Sequence, residues 1–249
     1  MDDSRIRPSA NLGDIATHWT VVRQAHQGSG EAVDRAKQEL MERYSGAVYR
    51  YLLGALRNVH AADDLFQDFS LRFLRGDFRN ANPERGRFRD FVKTALYHLI
   101  VDYQNRRRAG PAPLPEREFA DPDKPDLYYS EQEFLASWRA EILGRAWQTL
   151  DEDSRAAGQP FHDVLRLRAE EPKLSSTEMA ERLSERLGRT LTPEWVRQNL
   201  KRARERFSSL LLDELARSLD DPSHERLEQE LIDLGLHGYC QAALRRRGL

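Results

Sequence analysis

The stretch Ser175–Phe207, SSTEMAERLSERLGRTLTPEWVRQNLKRARERF, decides the fold that the sequence predicts. Ser175 or Ser176 can cap a helix at its start. Gly188 is typical of the residue that ends such a helix, and Thr192 followed by a proline is typical of the start of the next one. A helix, a short turn and a second helix together indicate a helix-turn-helix.

The second helix of this stretch combines an apolar stripe with an excess of basic charge. The stripe recurs at steps of four, three and four residues: Val196, Leu200, Ala203 and Phe207. From Arg197 to Arg206, five bases and one acid give a net charge of +4. A DNA recognition helix needs an apolar face for its partner helix and a basic face for phosphates and base edges. A solvated charged face is the main alternative, and a coiled-coil seam is disfavoured because the stripe is not sustained over three to four heptads.

Composition and charge narrow the class of protein. A chain of 249 residues, 32% of them charged, is long enough for one or two domains. Its long segments contain few β-branched residues, which favours an all-α fold. A net charge of -2 excludes a uniformly basic nucleic-acid binder. One cysteine, Cys240, excludes an intrachain disulfide and suits a reducing cytoplasm. Without an apolar signal core or a run of about 18 apolar residues, we expect an intracellular, soluble protein with no membrane partner.

The remaining pattern predicts two helical modules. Helical periodicity covers these segments, the first of them interrupted at Gln27–Glu31: Ile15–Leu56, Ala61–Leu74, Phe88–Arg108, Ser130–Leu150 and Phe161–Ala169. A Pro-rich acidic linker over residues 109–128 separates a first module, 1–108, from a second, 129–217. A C-terminal extension, 218–249, restarts at Ser223 with one or two short helices.

The run Ala61–Leu74, AADDLFQDFSLRFL, predicts a helix with an outward acidic face. We expect these side chains to face outward: Asp64, Gln67, Asp68, Leu71 and Arg72. These are expected to face a core: Phe66, Phe69, Phe73 and Leu74. The outward face is a candidate protein-docking surface, and an ordinary acidic first turn is the alternative. A metal site on Asp63, Asp64 and Asp68 is disfavoured because no further ligand stands at suitable spacing.

Basic and aromatic residues interleave in Arg85–Arg108, RGRFRDFVKTALYHLIVDYQNRRR. Single-stranded nucleic acid binding uses this mixture, since unstacked bases need flat partners and the backbone needs cations. Most of the aromatic rings are nevertheless expected in the core. Tyr97 and His98 are the better candidates for a base contact, because they flank the apolar stripe.

Together these three motifs resemble the bacterial sigma-70-type RNA polymerase initiation factors, specifically the extracytoplasmic-function group. Ala61–Leu74 is similar to the helix that docks on the polymerase clamp, Arg85–Arg108 to the helix that melts and reads the minus-ten element, and Thr192–Phe207 to the recognition helix for the minus-thirty-five element. In the second motif, Phe91 replaces a tryptophan and His98 an asparagine. Residues 151–160 match the family pattern poorly, the turn at Gly188–Thr192 is longer than the family's usual one, and residues 221–249 have no counterpart in the minimal pattern.

The resemblance implies an all-α fold whose second module is a helix-turn-helix of the winged-helix-like or sigma region 4 type. It implies core RNA polymerase and promoter DNA, both duplex and melted strand, as partners, with an anti-sigma factor or a kinase as further candidates. It implies no cofactor or metal and no catalytic residue. Polymerase binding would fall to Asp64, Gln67, Asp68 and Leu71. DNA binding would fall to Arg87, Arg89, Lys93, Tyr97, His98, Arg106, Arg107, Arg108, Arg197, Gln198, Lys201 and Arg202.

Three questions stay open at this stage. A two-module DNA-binding regulator that works without polymerase is the main rival function, and an enzyme is a distant third because no phosphate loop or nucleophile–base motif is present. The acidic linker, with Glu116, Glu118, Asp121, Asp123 and Asp126, could occupy a basic RNA channel or act as a solvated spacer. The C-terminal extension could mask the DNA face, cap the module or bind a partner.

Overall fold

A computed structural model of the chain describes residues 31–75, 87–109, 127–219 and 222–247. Every regular element in those ranges is an α-helix, so the predicted all-α fold is confirmed. The helices are α1 Glu31–Leu56, α2 Val59–Arg75, α3 Phe88–Ala109, α4 Leu127–Ala157, α5 Phe161–Glu170, α6 Ser176–Leu187, α7 Pro193–Arg217, α8 His224–Asp233 and α9 His237–Arg246. The helix predicted before Gln27, most of the loop at 75–87 and most of the acidic linker lie outside the described residues.

Contacts divide the chain into two compact units, and the boundary falls within α4. Among the described residues, those up to Glu141 belong to the first unit together with Arg217–Pro222, and those from Ile142 to Ala216 and from Ser223 onward to the second. None of the helices in the described ranges combines the length and the apolar composition that a membrane span needs.

The first unit is built on the mutual packing of α1, α2 and α3. The buried stripe of α2 runs at steps of four residues through Ala61, Leu65, Phe69 and Phe73, each at most 5% exposed. Four-residue steps keep side chains on one helix face, which explains why this helix buries that stripe against its neighbours.

An aromatic cluster joins the start of α4 to this core. Trp138 is fully buried and stacks on Tyr44, with ring centroids 4.6 Å apart. Phe88 and Phe134 lie 6.2 and 5.8 Å from the same indole ring. Rings at such separations interact favourably beyond the apolar area that they bury. This cluster therefore places residues around Phe134 and Trp138 in the first unit.

The second unit contains the end of α4 and the helices that follow it. Ile142, Ala146 and Leu150 continue along α4 at four-residue steps and are at most 1% exposed. The guanidinium of Arg206 on α7 donates to the Asp153 carboxylate, with Nε 3.1 Å from Oδ2. Both side chains are largely buried, at 12% and 18% exposure, so this ion pair fixes α7 against the end of α4.

The C-terminal extension forms α8 and α9, as predicted, and packs on the second half of α7. Their buried residues are Leu227, Leu231, Leu234, Leu236, Cys240, Ala243 and Leu244. Ser208 on α7 donates to the backbone carbonyl of Tyr239 at 3.0 Å. Arg247 donates to the Ser209 carbonyl at 3.0 Å and also pairs with Asp213. Burial raises the pKa of the Cys240 thiol to about 12, so this cysteine remains protonated at neutral pH and acts as a small apolar side chain.

Candidate nucleic-acid and protein interfaces

Local capping chemistry fixes both ends of α6. The Ser175 side chain accepts from the Glu178 backbone N–H, and the Glu178 carboxylate accepts from the Ser175 N–H at 2.7 Å. This reciprocal capping box begins α6 and selects Ser175 of the two serines that the sequence offered as caps. Gly188 ends α6 in the left-handed conformation with φ of 63°, where a side chain would be strained.

The turn between α6 and α7 is tied to both helices. Ser184 accepts from the Leu191 backbone N–H at 2.9 Å, and Thr192 accepts from the Trp195 N–H at 3.1 Å, which caps α7. The guanidinium of Arg189 lies 5.1 Å from the centroid of the Trp195 ring. The longer turn is therefore a defined connection that fixes where α7 begins.

Replacing Ser175 by alanine is expected to lower the free energy of unfolding of the second unit by about 0.5–2 kcal/mol, because a backbone donor loses its cap. Urea unfolding followed by circular dichroism measures the change. Ser176→Ala is the matched control, since Ser176 is the first residue inside the helix and does not cap it. An equal loss in both variants would contradict the assigned cap.

The stability that this capping box contributes depends on pH. Hydrogen bonds with Ser175 hold the pKa of the Glu178 carboxyl below its ordinary value. A depressed pKa adds stability above the pKa of the unfolded chain, and that stability is lost as the pH falls through the lower folded value. Glu178→Gln should therefore reduce the loss of stability in acid.

The exposed sector of α7 carries the predicted DNA-binding residues. Val196, Leu200 and Ala203 are buried, and Phe207 is half-buried with its ring 4.8 Å from that of Trp147. The opposite sector, which we call the α7 basic face, is exposed: Arg197, Gln198, Lys201, Arg202 and Arg204. Arg206, counted among the bases of this segment, instead pairs with Asp153. The α7 basic face is wide enough for phosphate and base contacts along about two turns.

The candidate docking residues of α2 lie on one outward face. Asp64, Gln67 and Leu71 are exposed, and Asp68 pairs with Arg72 through two hydrogen bonds of 3.1 and 3.0 Å. The Asp63 carboxylate accepts from the Tyr49 hydroxyl at 2.9 Å, and this bond raises the pKa of Tyr49. Within the described ranges, no group of three or more aspartate, glutamate, histidine or cysteine side chains is placed so that it could hold a metal ion.

Leu74 corrects one expectation for α2. It was expected in the core, yet it is 46% exposed. Leu74 stands three residues after Leu71 and seven after Gln67, and both spacings return to the same side of a helix. The outward face of α2 therefore places the Asp64 carboxylate beside two exposed leucines, and we call Asp64, Gln67, Leu71 and Leu74 the α2 face.

The candidate DNA residues of α3 separate into two groups. Tyr97 is half-buried and His98 exposed, with ring centroids 5.7 Å apart. Lys93 donates to Glu131 at 2.8 Å, and Arg87 pairs with Asp90 at 3.0 Å. Near the end of the helix, Arg106 and Arg107 are exposed, and the guanidinium of Arg107 lies 5.9 Å from the Tyr103 ring centroid. The side chain of Arg108 lies outside the described residues.

Arg89 is a second correction. It was expected at the DNA surface, but it is 2% exposed and therefore cannot reach DNA in this conformation. Its position explains the burial, because Arg89 stands seven residues before Leu96, which is fully buried on the same side of α3. That spacing was present in the sequence and was the signal that could have excluded Arg89. The buried residue Leu65 was likewise absent from the core residues predicted for Ala61–Leu74.

Comparison with known proteins finds a match that lies within the first unit. Residues 40–110 match the family model of Sigma-70 region 2, a span that contains α2, α3 and the end of α1. No curated protein and no solved structure matches the chain. Sigma-70 region 2 is a transcription factor family and not an enzyme family. Over residues 40–110 the chain is thus similar to Sigma-70 region 2, and this similarity supports a sigma-70-type sigma factor with a role in transcription initiation.

Proposed function

We propose that this chain is a sigma factor of the extracytoplasmic-function type, which binds core RNA polymerase in the bacterial cytoplasm and directs it to promoters. The α2 face docks on the polymerase, α3 takes part in melting and reading the minus-ten element, and the α7 basic face reads the minus-thirty-five element. The observation that carries the proposal is the match to Sigma-70 region 2 over the segment that contains α2 and α3.

The geometry of each surface suits its assigned task. Two exposed leucines beside the Asp64 carboxylate make the α2 face a mixed apolar and acidic surface of the kind that proteins bury on association. Tyr97 and His98 present two rings on α3 that a flipped base can stack on. Arg106 and Arg107, both exposed, are available for the phosphates of the melted strand.

The α7 basic face suits a major groove. Arg197 and Lys201 stand one helical turn apart and are both exposed. A bidentate arginine–guanine pair discriminates against a wrong base by about 1–3 kcal/mol. The second unit lies outside the segment that matches the family model, so support for this assignment comes from the capped helices α6 and α7, the turn between them and the charge of α7.

Binding to core polymerase is tested by size-exclusion co-purification of the full chain with purified core enzyme. We expect a stable complex, and we expect Gln67→Ala combined with Leu71→Ala to weaken it at least tenfold, as loss of a docking hot spot does. Val59→Ala is the matched control, because Val59 is 55% exposed on the same helix but lies away from the α2 face. A regulator that works without polymerase would form no complex at all, and an equal loss with Val59→Ala would contradict the assigned face.

Replacing Arg197 and Lys201 by alanine is expected to weaken binding to a promoter duplex, with core binding unchanged. Two lost phosphate or base contacts should also lower the slope of log affinity against log salt concentration by about 2. Fluorescence anisotropy with labelled duplex measures both quantities. Arg155→Ala with Arg166→Ala removes the same charge from exposed positions on α4 and α5 and should have a smaller effect. Loss of core binding in the α7 variant would contradict the division of labour between the units.

A further inference from the structure

The C-terminal helix α9 lies beside the exposed sector of α7 that carries the basic residues. Glu205 is the one acid between Arg197 and Arg206, and it stands four residues after Lys201 and three after Arg202. Both spacings place side chains on the same side of a helix. Arg246 of α9 pairs with this glutamate, with Nη1 3.1 Å from Oε1. Arg246 therefore lies within one turn of the α7 basic face.

The position of Arg246 is fixed by contacts on both sides of it in the chain. Its neighbour Arg247 is 12% exposed and donates to the Ser209 carbonyl while pairing with Asp213. Seven residues before Arg246, the Tyr239 carbonyl accepts from Ser208 at 3.0 Å. These contacts attach both ends of α9 to α7, so Arg246 has a defined place relative to Lys201 and Arg202.

The charge at this place favours an anionic ligand. Arg246 is 53% exposed and Glu205 39% exposed, so their pair is a solvent-exposed salt bridge of small net value. A guanidinium in such a pair can exchange or share its carboxylate with a phosphate, whose geometry it matches bidentately. Without Arg246, the Glu205 carboxylate would lose its cationic partner from α9 and would repel phosphates at the C-terminal edge of a surface that otherwise attracts them.

We propose that α9 is part of the DNA interface and that Arg246 binds the phosphate backbone of duplex DNA at the C-terminal edge of the α7 basic face. The inference rests on the proposed function of α7 and extends it to a segment for which the family resemblance implies no role. In this proposal the C-terminal extension raises the affinity for duplex DNA and does not mask the DNA face. In agreement, Arg197, Gln198, Lys201 and Arg202 stay exposed while α9 is docked.

The test uses the full-length chain and labelled promoter duplex, with affinity measured by anisotropy between about 50 and 200 mM salt. Arg246→Gln should lower affinity about three- to tenfold at the low-salt end and lower the salt slope by about 1. Arg245→Gln is the matched control, because it removes the same charge from the same turn but lies about 100° away around the helix. An equal effect of both variants, or no effect of Arg246→Gln, overturns the proposal.

A second pair of variants separates a phosphate contact from simple neutralisation of Glu205. The combined variant Glu205→Gln with Arg246→Gln should bind less tightly than Glu205→Gln alone, with the lower salt slope. Equal affinity of these two variants would mean that Arg246 only offsets Glu205, which overturns the phosphate contact. If Arg197→Ala with Lys201→Ala also leaves affinity unchanged, the function proposed for α7 fails; if that variant binds weakly and Arg246→Gln does not, only the role of α9 fails.

Discussion

Replacing Trp138 by alanine is expected to lower the free energy of unfolding of the first unit by about 3–5 kcal/mol. The side chain is fully buried and stacked on Tyr44, and its removal leaves a cavity bordered by Phe88 and Phe134. A loss of this size is a large part of the total stability of a domain. The first unit should then fail to hold α2 and α3 in place, and polymerase binding should weaken with it.

Hydrogen exchange of backbone amides measures this loss separately in each unit. Protection should fall in α1, α2 and α3, and much less in α6 and α7. Trp195→Ala is the control, since that indole is half-exposed on α7 in the second unit. Lower protection in the second unit with an unchanged first unit would contradict the assignment of Trp138 to the first core.

Replacing Leu231 by alanine is expected to lower the stability of the second unit by about 2–5 kcal/mol, because its side chain is fully buried in α8. The neighbouring Ile232 is 52% exposed, so Ile232→Ala should change stability by no more than about 0.5 kcal/mol. Urea unfolding measures both variants under the same conditions. Equal effects would show that α8 does not pack as described.

Truncation after Asp220 extends the same prediction to the whole extension. It removes α8 and α9 together with the contacts that Tyr239 and Arg247 make on the second half of α7. The truncated chain should therefore unfold at a lower urea concentration and bind duplex less tightly than the full chain. A truncated chain that stays folded and binds duplex more tightly would instead support a masking role for the extension.

Local sequence signals predicted where α6 ends and where α7 begins, and they left the start of α6 open between two adjacent serines. The capping box at Ser175, the left-handed Gly188 and the start of α7 at Pro193 depend on residues close to each other in the chain. Capping chemistry is local, and a sequence pattern reports it directly. The apolar stripe of α7 was predictable for the same reason, because helical periodicity determines which side chains share a face.

Features that depend on contacts between distant segments could not be predicted in this way. The Arg206–Asp153 and Arg246–Glu205 pairs join residues 53 and 41 positions apart, and no spacing rule connects them. The unit boundary within α4 is of the same kind, since Trp138 and Ile142 lie on one continuous stripe but in different units. Arg89 and Leu74 were different, because their helical spacing to Leu96 and Leu71 was available in the sequence.

The central claim is that this chain directs core RNA polymerase to promoters through two DNA-reading surfaces. Run-off transcription with purified core polymerase, the folded full-length chain and a pool of genomic fragments tests it most directly. The account predicts discrete transcripts that require the added chain and that disappear with Arg197→Ala combined with Lys201→Ala. Absence of promoter-specific transcripts from a folded chain that also fails to co-purify with core polymerase would contradict it.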